Sequence, residues 1–169
     1  TIRQAYRQSG FPFDVEVDLE VMPAPDLAET ADAVPVRLTY VVDESAEVEE
    51  ARFSGNTVLS DSELQQVFTG VVQAGEFDPQ RYRQALQAVS NRYAALGYRG
   101  SGVDAAATSL SGGVLDVAVR ELTIASIDTT ALGVDPSDLS LQPGDLFNYD
   151  TLLDDVRRLA RGRSSDIQL

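Results

Sequence analysis

The side chains that most often carry chemistry in proteins are unevenly represented in this sequence. Its 169 residues include no cysteine and no histidine, but 27 acidic residues against 13 basic ones. Without thiols or imidazoles, carboxylates are the main candidates for acids, bases and metal ligands. A hydrolase built on two carboxylates would hold them at a fixed separation across a cleft. Because no such pair can be recognised, we predict no enzyme activity, no catalytic residue and no cofactor.

The most regular carboxylates alternate along the segment FDVEVDLEV, at Asp14, Glu16, Asp18 and Glu20. One interpretation is a cation site on a strand face. Calcium, however, needs about six to eight converging oxygen ligands, which a flat row of carboxylates does not provide. The intervening residues are apolar, and such alternation is typical of a strand with one buried and one solvated face. We therefore predict a solvated strand face and no metal site.

The net charge of -14 restricts the partners that this chain can bind. Nucleic acid backbones and anionic membrane surfaces attract clustered lysine and arginine. No lysine is present and the 13 arginines form no cluster, so we predict no nucleic acid partner. No stretch approaches the roughly 20 apolar residues of a membrane helix, and no signal peptide is recognisable. The chain opens inside a motif, and we interpret it as a fragment of a longer protein.

Two helices are predicted near the middle of the chain. Ser60 and Glu63 have the spacing of a capping box at the start of the first helix. Asp78 followed by Pro79 predicts the start of the second, because a carboxylate caps free amides and proline fits the first helical position. Apolar residues then recur at the spacing of one helix face, and Gly97 follows where the helix should end. This apolar face consists of Tyr82, Leu86, Val89, Tyr93 and Leu96.

Three strands complete this unit. Val48–Phe53 precedes the first helix, and Gly55-Asn56 turns the chain after it. The segments SGVDAAATS and GVLDVAVRE lie on either side of Gly112-Gly113, which is a strong signal for a β-hairpin. The unit therefore has the order strand, helix, helix, strand, strand over about 75 residues.

One short motif occurs twice: a tyrosine, three further residues, a glycine and an aromatic, starting at Tyr6 and again at Tyr93. In both places the tyrosine lies near a helix end and the glycine stops the helix. The residues after the first copy repeat the two closing strands, and residues 124–169 repeat the opening strand and two helices. We therefore predict a tandem repeat, with a C-terminal half unit at 1–46, a complete unit at 47–123 and an N-terminal half unit at 124–169.

The half units align with the complete unit position by position. Leu38, Tyr40 and Val42 match Leu115, Val117 and Val119, while Asn148, Leu152, Val156 and Leu159 match Asp78, Tyr82, Leu86 and Val89. The tail of one molecule could therefore complete the head of another, through apolar positions that include Val34, Leu38, Leu152 and Val156. Such head-to-tail contacts close a ring or continue as a filament.

The segments FSGNTVLSDSEL, GEFD, RYAALGYRG and VLDVAVRE resemble those of polypeptide-transport-associated (POTRA) domains. Such domains form the periplasmic arm of BamA-like and TamA-like outer-membrane protein assembly factors. The resemblance implies an α+β fold of tandem β-α-α-β-β repeats, each a three-stranded mixed sheet with two helices on one face. It also implies a non-catalytic arm in the periplasm, which docks unfolded outer-membrane clients, assembly lipoproteins or periplasmic chaperones. Family members often do so by adding a strand to a sheet edge.

Two segments are candidate edge strands. Asp14–Val21 is heavily charged, and charge protects an edge against pairing. Gly102–Thr108 has small side chains and a single charge, and therefore has room for a guest strand. We predict that this segment binds partners, with Phe68 of the first helix lining the adjoining groove, whereas Leu64 is core. The predicted partner-binding residues are Gly102, Val103, Asp104, Ala105, Ala106, Ala107, Thr108 and Phe68.

Other assignments remain open at this point. POTRA-like domains also occur in two-partner secretion transporters and in FtsQ-type division scaffolds, which generally carry one or two units. At least three units are expected here, which favours the BamA-like or TamA-like arm. A carboxylate-dependent hydrolase is the alternative of a different class. The number of repeats in the whole protein, the identity of the client and the oligomeric state are not determined by the sequence.

Overall fold

The fold is described from a computed structural model, which covers residues 1–24 and 35–164. Within these residues the helices are α1 (Ile2–Gln8), α2 (Asp61–Val72), α3 (Pro79–Ala95) and α4 (Tyr149–Ser164). The strands are β1 (Glu16–Pro23), β2 (Val36–Asp43), β3 (Glu47–Val48), β4 (Glu50–Ser54), β5 (Gly75–Glu76), β6 (Gly102–Val103), β7 (Ser109–Ser111) and β8 (Val114–Arg120). The predicted α+β fold is confirmed.

The central sheet is built around β8. Strand β4 lies parallel to it on one side, with Phe53 opposite Val117. On the other side β6 and β7 both run antiparallel to β8, with Val103 opposite Val119 and Leu110 opposite Leu115. Gly112 and Gly113 form the predicted hairpin turn between β7 and β8, with φ angles of 56° and 78°. These angles match the turn geometry that the twist of a hairpin favours.

Both central helices begin where the sequence predicts. Ser60 and Glu63 form the capping box, since each side chain accepts a hydrogen bond from the backbone amide of the other residue, at 3.3 and 2.8 Å. Asp78 caps α3 by accepting from the amides of Gln80 and Arg81, at 2.8 and 3.1 Å. These caps satisfy amides that have no partner inside the helix.

One face of α2 and one face of α3 cover the sheet and form the core with it. The buried residues in this part of the chain are Val48, Ala51, Leu59, Leu64, Phe68, Val71, Phe77, Tyr82, Ala85, Val89, Tyr93, Leu110, Leu115, Val117 and Val119. The predicted apolar face of α3 is right at Tyr82, Val89 and Tyr93 but wrong at its end. Leu96 is 51% exposed because the helix ends at Ala95 and Leu96 is only its C-cap.

The predicted strand Gly102–Thr108 is largely replaced by a turn. Only Gly102 and Val103 pair with β8. Asp104 then folds the chain back: its carbonyl accepts from the Thr108 amide at 3.0 Å, and its carboxylate accepts from the Ala106 amide at 3.1 Å. Aspartate favours such turns because its side chain bonds the backbone two residues on, and alanine has a low strand propensity. The chain rejoins the sheet at β7.

The N-terminal segment contains α1 and the antiparallel pair β1–β2, as predicted. Val17 lies opposite Val42, Leu19 opposite Tyr40 and Val21 opposite Leu38, so these apolar side chains share one face. The carboxylates of β1 are exposed, but so is much of the apolar face: Leu19, Val21, Leu38 and Tyr40 are each more than half exposed. The expectation of one buried face is therefore wrong for the outer part of this hairpin.

The C-terminal segment departs further from the predicted repeat. Its predicted opening strand is reduced to a single bridge between Thr123 and Leu146. Its predicted first helix is replaced by two turns of 3-10 helix, at Thr130–Leu132 and Pro136–Asp138. Gly133 and Pro143 bound this segment, and a helix that fits between them would be short, so little stabilisation would offset the cost of its nucleation. The second helix, α4, follows Asn148 as predicted.

Candidate docking edge

The open edge of the central sheet lies at β6. The Asp104 amide donates to the Ala118 carbonyl at 2.8 Å. Because hydrogen-bonded and non-bonded residues alternate along an antiparallel pair, the backbone N–H and C=O of Val103 point away from β8. A sheet edge with outward backbone groups is a template for another strand. Val103 is therefore the position in β6 where a guest strand can pair.

The neighbouring part of the same edge is already occupied. In β7 the outward amide is that of Leu110, and it donates to the carbonyl of Pro12 at 2.8 Å. Phe77 packs against the residues on both sides of Pro12, with ring centroids 5.5 Å from Phe11 and 5.2 Å from Phe13. Pro12 and Phe13 are buried. The N-terminal segment therefore covers the β7 edge and leaves β6 as the open part.

A groove runs between β6 and α3. Its cavity has a volume of about 420 Å3, and its walls include Gln87, Ser90 and Asn91 of α3 together with Arg99 and Arg120. Gly102 brings the strand close to the helix, because a Cβ atom at this position would lie 2.9 Å from Ser90 Oγ. The groove is thus lined mainly by polar groups on the helix side and by backbone on the strand side.

The structure divides the predicted partner-binding residues into three groups. Gly102 and Val103 lie at the open edge. Asp104 to Ala107 form the turn that ends this edge, with the three alanines exposed. Thr108 is buried; its hydroxyl donates to the Asp104 carbonyl at 2.9 Å and accepts from the Ala118 amide at 3.1 Å. A guest strand cannot pair along the whole predicted segment.

Phe68 does not line a groove. Its side chain is fully buried, between Phe53 at 5.4 Å and Tyr82 at 6.4 Å, measured between ring centroids. The prediction of an accessible Phe68 is therefore wrong, while the prediction that Leu64 is core is confirmed. The groove adjoins the second helix of the unit rather than the first, because α3 is the helix that contacts β6.

The polar helix face beside the groove and the charged strand at the opposite edge of the sheet were not predicted from the sequence. Gln87, Ser90 and Asn91 line the groove, and the steps of three and four residues from Gln87 mark a polar helix face beside the apolar one. Strand β4 forms the opposite edge of the sheet. On β4, Arg52 donates two hydrogen bonds to Glu50, both at 2.9 Å. Exposed charges of this kind protect an edge from pairing.

A hydrogen-bonded carboxylate fixes the end of β8 beside the groove. One oxygen of Glu121 accepts from the Thr57 and Val58 amides, at 2.7 and 2.9 Å, and from the Tyr93 hydroxyl at 2.7 Å. The other accepts from the Thr57 hydroxyl. Partial burial alone would raise the pKa of Glu121, but the hydrogen bonds from Thr57 and Val58 outweigh it and lower this pKa. Burial, together with the bond to Glu121, raises the pKa of Tyr93.

The repeated tyrosine motif now has a structural role. Tyr93 lies in the last turn of α3 and donates a hydrogen bond to Glu121 after β8. Tyr6 lies in the last turn of α1 and donates one to Glu44 after β2. Both copies therefore tie the end of a helix to the residue after the closing strand of the hairpin that follows it. In the N-terminal segment, the hydrogen bond to Glu44 raises the pKa of Tyr6.

The joint between the central and C-terminal segments holds the other border of the groove. The Asn148 side chain donates to the Leu96 carbonyl at 3.0 Å, and the Tyr149 amide donates to the Gly97 carbonyl at 2.8 Å. The Arg99 guanidinium lies 4.2 Å from the centroid of the Tyr149 ring. Arg99 is thereby positioned by α4 as well as by the loop after α3.

Neither a metal cluster nor a membrane-spanning helix occurs in the part of the chain that the structure describes. In residues 1–24 and 35–164, no three acidic side chains are grouped so that they could hold a metal ion. None of the helices in these residues is both long enough and apolar enough to span a bilayer.

Comparisons with known proteins identify the central segment. Residues 46–122 match the family model POTRA, described as surface antigen variable number repeat. No curated protein sequence matches the chain. A solved structure of the N-terminal domain of Omp85 from the thermophilic cyanobacterium Thermosynechococcus elongatus is similar, with a TM-score of 0.57 and 19% sequence identity, over 94% of this chain and 68% of that one.

Two further structures are similar to the same degree. POTRA1-3 of the periplasmic domain of Omp85 from Anabaena gives a TM-score of 0.57 at 18% identity, over 95% of this chain and 68% of that one. CdiB from Escherichia coli gives 0.56 at 19% identity, over 94% of this chain and 26% of that one. At these identities the likeness concerns the fold. Residues 46–122 therefore belong to the POTRA family, and the chain has the fold of the POTRA region of Omp85 proteins.

Proposed function

We propose that this chain is part of the periplasmic POTRA arm of a BamA-like or TamA-like outer-membrane assembly protein. In this role it docks unfolded outer-membrane clients, assembly lipoproteins or periplasmic chaperones without catalysing a reaction. The observation that carries the proposal is the open backbone of Val103 beside the groove along α3. The family match at 46–122 and the similarity to a periplasmic Omp85 domain support it.

Docking proceeds by strand pairing at β6. A guest strand donates to the Val103 carbonyl and accepts from the Val103 amide, while its side chains enter the groove beside Ser90 and Asn91. Pairing through the backbone makes little demand on the guest sequence, which suits a receptor for many clients. The Asp104 turn and the covered Leu110 amide limit the paired length, so binding at this site is weak and transient.

The test is an NMR titration of the chain with a peptide from the last strand of an outer-membrane barrel. Saturable amide shifts are expected at Gly102–Asp104 and at Ser90 and Asn91. A peptide that is N-methylated at alternate residues is the matched control, because it keeps the side chains but loses the amide donors on its pairing edge.

Two results would contradict this proposal. Equal binding by the methylated peptide would mean that backbone pairing is not used. Shifts confined to Glu50–Ser54 would place docking at the opposite edge of the sheet.

The proposed organisation is a C-terminal half repeat at 1–46, a complete repeat at 47–123 and an N-terminal half repeat at 124–169. The exposed face of the β1–β2 hairpin then suggests a second copy of the chain as a partner. In the complete repeat, the positions equivalent to Leu38 and Tyr40 are buried beneath the helices. In the C-terminal segment, Ile124, Ile127 and Leu152 line an apolar cavity of about 420 Å3. Of the other predicted contact residues, Val156 is 53% exposed, and Val34 lies outside the described residues.

Sedimentation velocity over a wide concentration range tests this association. Tyr40→Glu should abolish concentration-dependent assembly because it places a charge in the apolar face. Val41→Glu is the matched control, since Val41 is also exposed but lies on the opposite face of β2. A chain that stays monomeric at all concentrations would remove the second copy as a partner and leave the docking edge unaffected.

A second candidate function is the POTRA region of a two-partner secretion transporter. The similarity to CdiB over 94% of this chain supports it at the level of the fold. The two candidates differ in the peptide that they bind. In the same titration, a segment of a secreted partner protein would bind in preference to the last strand of a barrel.

The carboxylate-dependent hydrolase remains the proposal of a different class. A screen of this chain against generic hydrolase substrates addresses it directly. Turnover that is abolished by substitution of a single aspartate or glutamate would overturn the non-catalytic docking role.

A further inference from the structure

The groove beside β6 differs in charge from the rest of the chain. Two arginines, Arg99 and Arg120, are among its lining residues and no acidic residue is, although the net charge of the chain is -14. Among the described residues, neither arginine forms an ion pair. The groove is therefore a local cationic site with unused guanidinium donors.

The carboxylates nearest in sequence are committed to other groups. Glu121, which follows Arg120, accepts the hydrogen bonds from Thr57, Val58 and Tyr93. Asp104, at the end of β6, accepts from the Ala106 amide at 3.1 Å. These two carboxylates therefore do not neutralise Arg99 and Arg120, and the guanidinium N–H groups are left for a ligand.

Arg99 is held in place before a ligand arrives. Its guanidinium lies 4.2 Å from the centroid of the Tyr149 ring. Its backbone amide donates to the Gly97 carbonyl at 3.0 Å, and the next turn is closed by the Ser101 amide, which donates to the Tyr98 carbonyl at 3.2 Å. A stacked guanidinium keeps the N–H groups in its plane available, and these match the geometry of a carboxylate.

A guest strand that pairs with Val103 can extend along the edge in only one direction, and the two arginines lie in that direction. In the direction of Asp104, the edge ends at a turn and then at the covered Leu110 amide. In the other direction, β6 leads back to Ser101, Gly100 and Arg99, and Arg120 lies opposite Gly102. Backbone pairing at Val103 alone provides only two hydrogen bonds, so a second contact is needed for measurable affinity.

We propose that the β6–α3 groove selects extended peptides that carry a carboxylate next to the residue paired with Val103. The carboxylate binds Arg99 and Arg120 and comes either from an aspartate or glutamate side chain or from a free C-terminus. This selection rests on the proposed docking function, since the peptide must first pair with β6. It adds the chemical class of the ligand.

The experiment is an NMR titration of the whole chain with three forms of one barrel-strand peptide. One form has a free C-terminus and no acidic side chain, one has an amidated C-terminus and one aspartate, and one has neither carboxylate. Because a charge-assisted contact is stronger than a neutral one, about a tenfold lower Kd is expected for at least one carboxylate form than for the fully neutral form. The form that shows it identifies the source of the carboxylate.

Arg120→Gln should bring the Kd values of all three peptides to that of the neutral form. Arg52→Gln is the matched control: it removes one exposed strand arginine from the opposite edge of the sheet and should leave the preference unchanged. Arg120→Lys should restore part of the preference, since it keeps the charge and loses the planar pair of donors. Unchanged amide spectra of the free variants verify that they are folded.

Each outcome of the titration decides between the two proposals. Equal affinity of all three peptides, with shifts at Gly102–Asp104, would overturn the carboxylate selection and leave strand docking in place. Absence of binding by every form would overturn both. If the preference for a carboxylate is unchanged in a variant that carries both Arg120→Gln and Arg99→Gln, the carboxylate is recognised by other residues and the proposal is wrong.

Discussion

Replacing Glu121 with alanine should destabilise the chain more than any other single change at an exposed or half-buried carboxylate. The carboxylate accepts hydrogen bonds from two backbone amides and two hydroxyl groups. It joins the end of β8, the loop after β4 and the last turn of α3, across as many as 64 residues of chain. Without it, the Thr57 and Val58 amides and the Tyr93 hydroxyl lose their partner together.

The magnitude follows from the number and type of these bonds. A hydrogen bond to a charged group contributes about 1.5–3 kcal/mol, and part of this is recovered when water reaches the exposed Thr57 amide. We therefore expect Glu121→Ala to lower the free energy of unfolding by about 3 kcal/mol. Glu121→Gln retains one oxygen that can accept the same three donors, and Thr57 can accept from the new amide, so the expected loss is about 1 kcal/mol.

The assay is guanidinium unfolding followed by circular dichroism and tyrosine fluorescence. Because the folded pKa of Glu121 is lowered from its ordinary value of 4.5, the stabilisation is present above that value and is lost as pH falls through the folded pKa. The difference between the wild type and Glu121→Gln should therefore shrink in acid. Glu44→Ala is the control, since Glu44 in the equivalent position accepts a hydrogen bond from Tyr6 alone among residues 1–24 and 35–164. Equal losses for Glu121→Ala and Glu44→Ala would refute the reasoning.

Three further predictions concern the same part of the chain. Gly55→Ala should cost about 2–4 kcal/mol in chemical unfolding, because φ is +79° and the added Cβ would lie 2.2 Å from the Val119 carbonyl oxygen. Gly70→Ala, in the last turn of α2 where the added Cβ has open space, should instead raise the free energy of unfolding by up to about 1 kcal/mol. Burial raises the pKa of Tyr82 to about 12. Its contribution to stability should therefore be complete below the ordinary pKa of 10.0 and should be lost as the pH rises towards 12. Coincident ionisation of all tyrosines in an absorbance titration would contradict this prediction. Asn148→Ala removes the cap of the Asp150 and Thr151 amides, each at 3.1 Å, together with the bond to the Leu96 carbonyl at 3.0 Å, and should cost about 1 kcal/mol. Faster hydrogen exchange in the first turn of α4 would support this prediction, and unchanged exchange there would count against it.

The sequence alone determined the elements whose signals are local. The capping box at Ser60, the cap at Asp78 and the hairpin at Gly112-Gly113 depend on contacts between residues two to seven positions apart, and such contacts are visible in a short window of sequence. The apolar face of α3 was predicted because its period is that of the helix itself. The POTRA order of elements followed from these local assignments.

Only the tertiary structure decided where the open edge of the sheet lies. The covering of Leu110 by Pro12 and the placement of the groove against α3 depend on residues far apart in the chain. Thr108 bonding across to Ala118 helped to turn a predicted seven-residue edge into a two-residue one. Burial of Phe68 followed from packing between Phe53 and Tyr82. Local propensity cannot encode these outcomes, because they depend on which elements pack side by side after the sheet has formed.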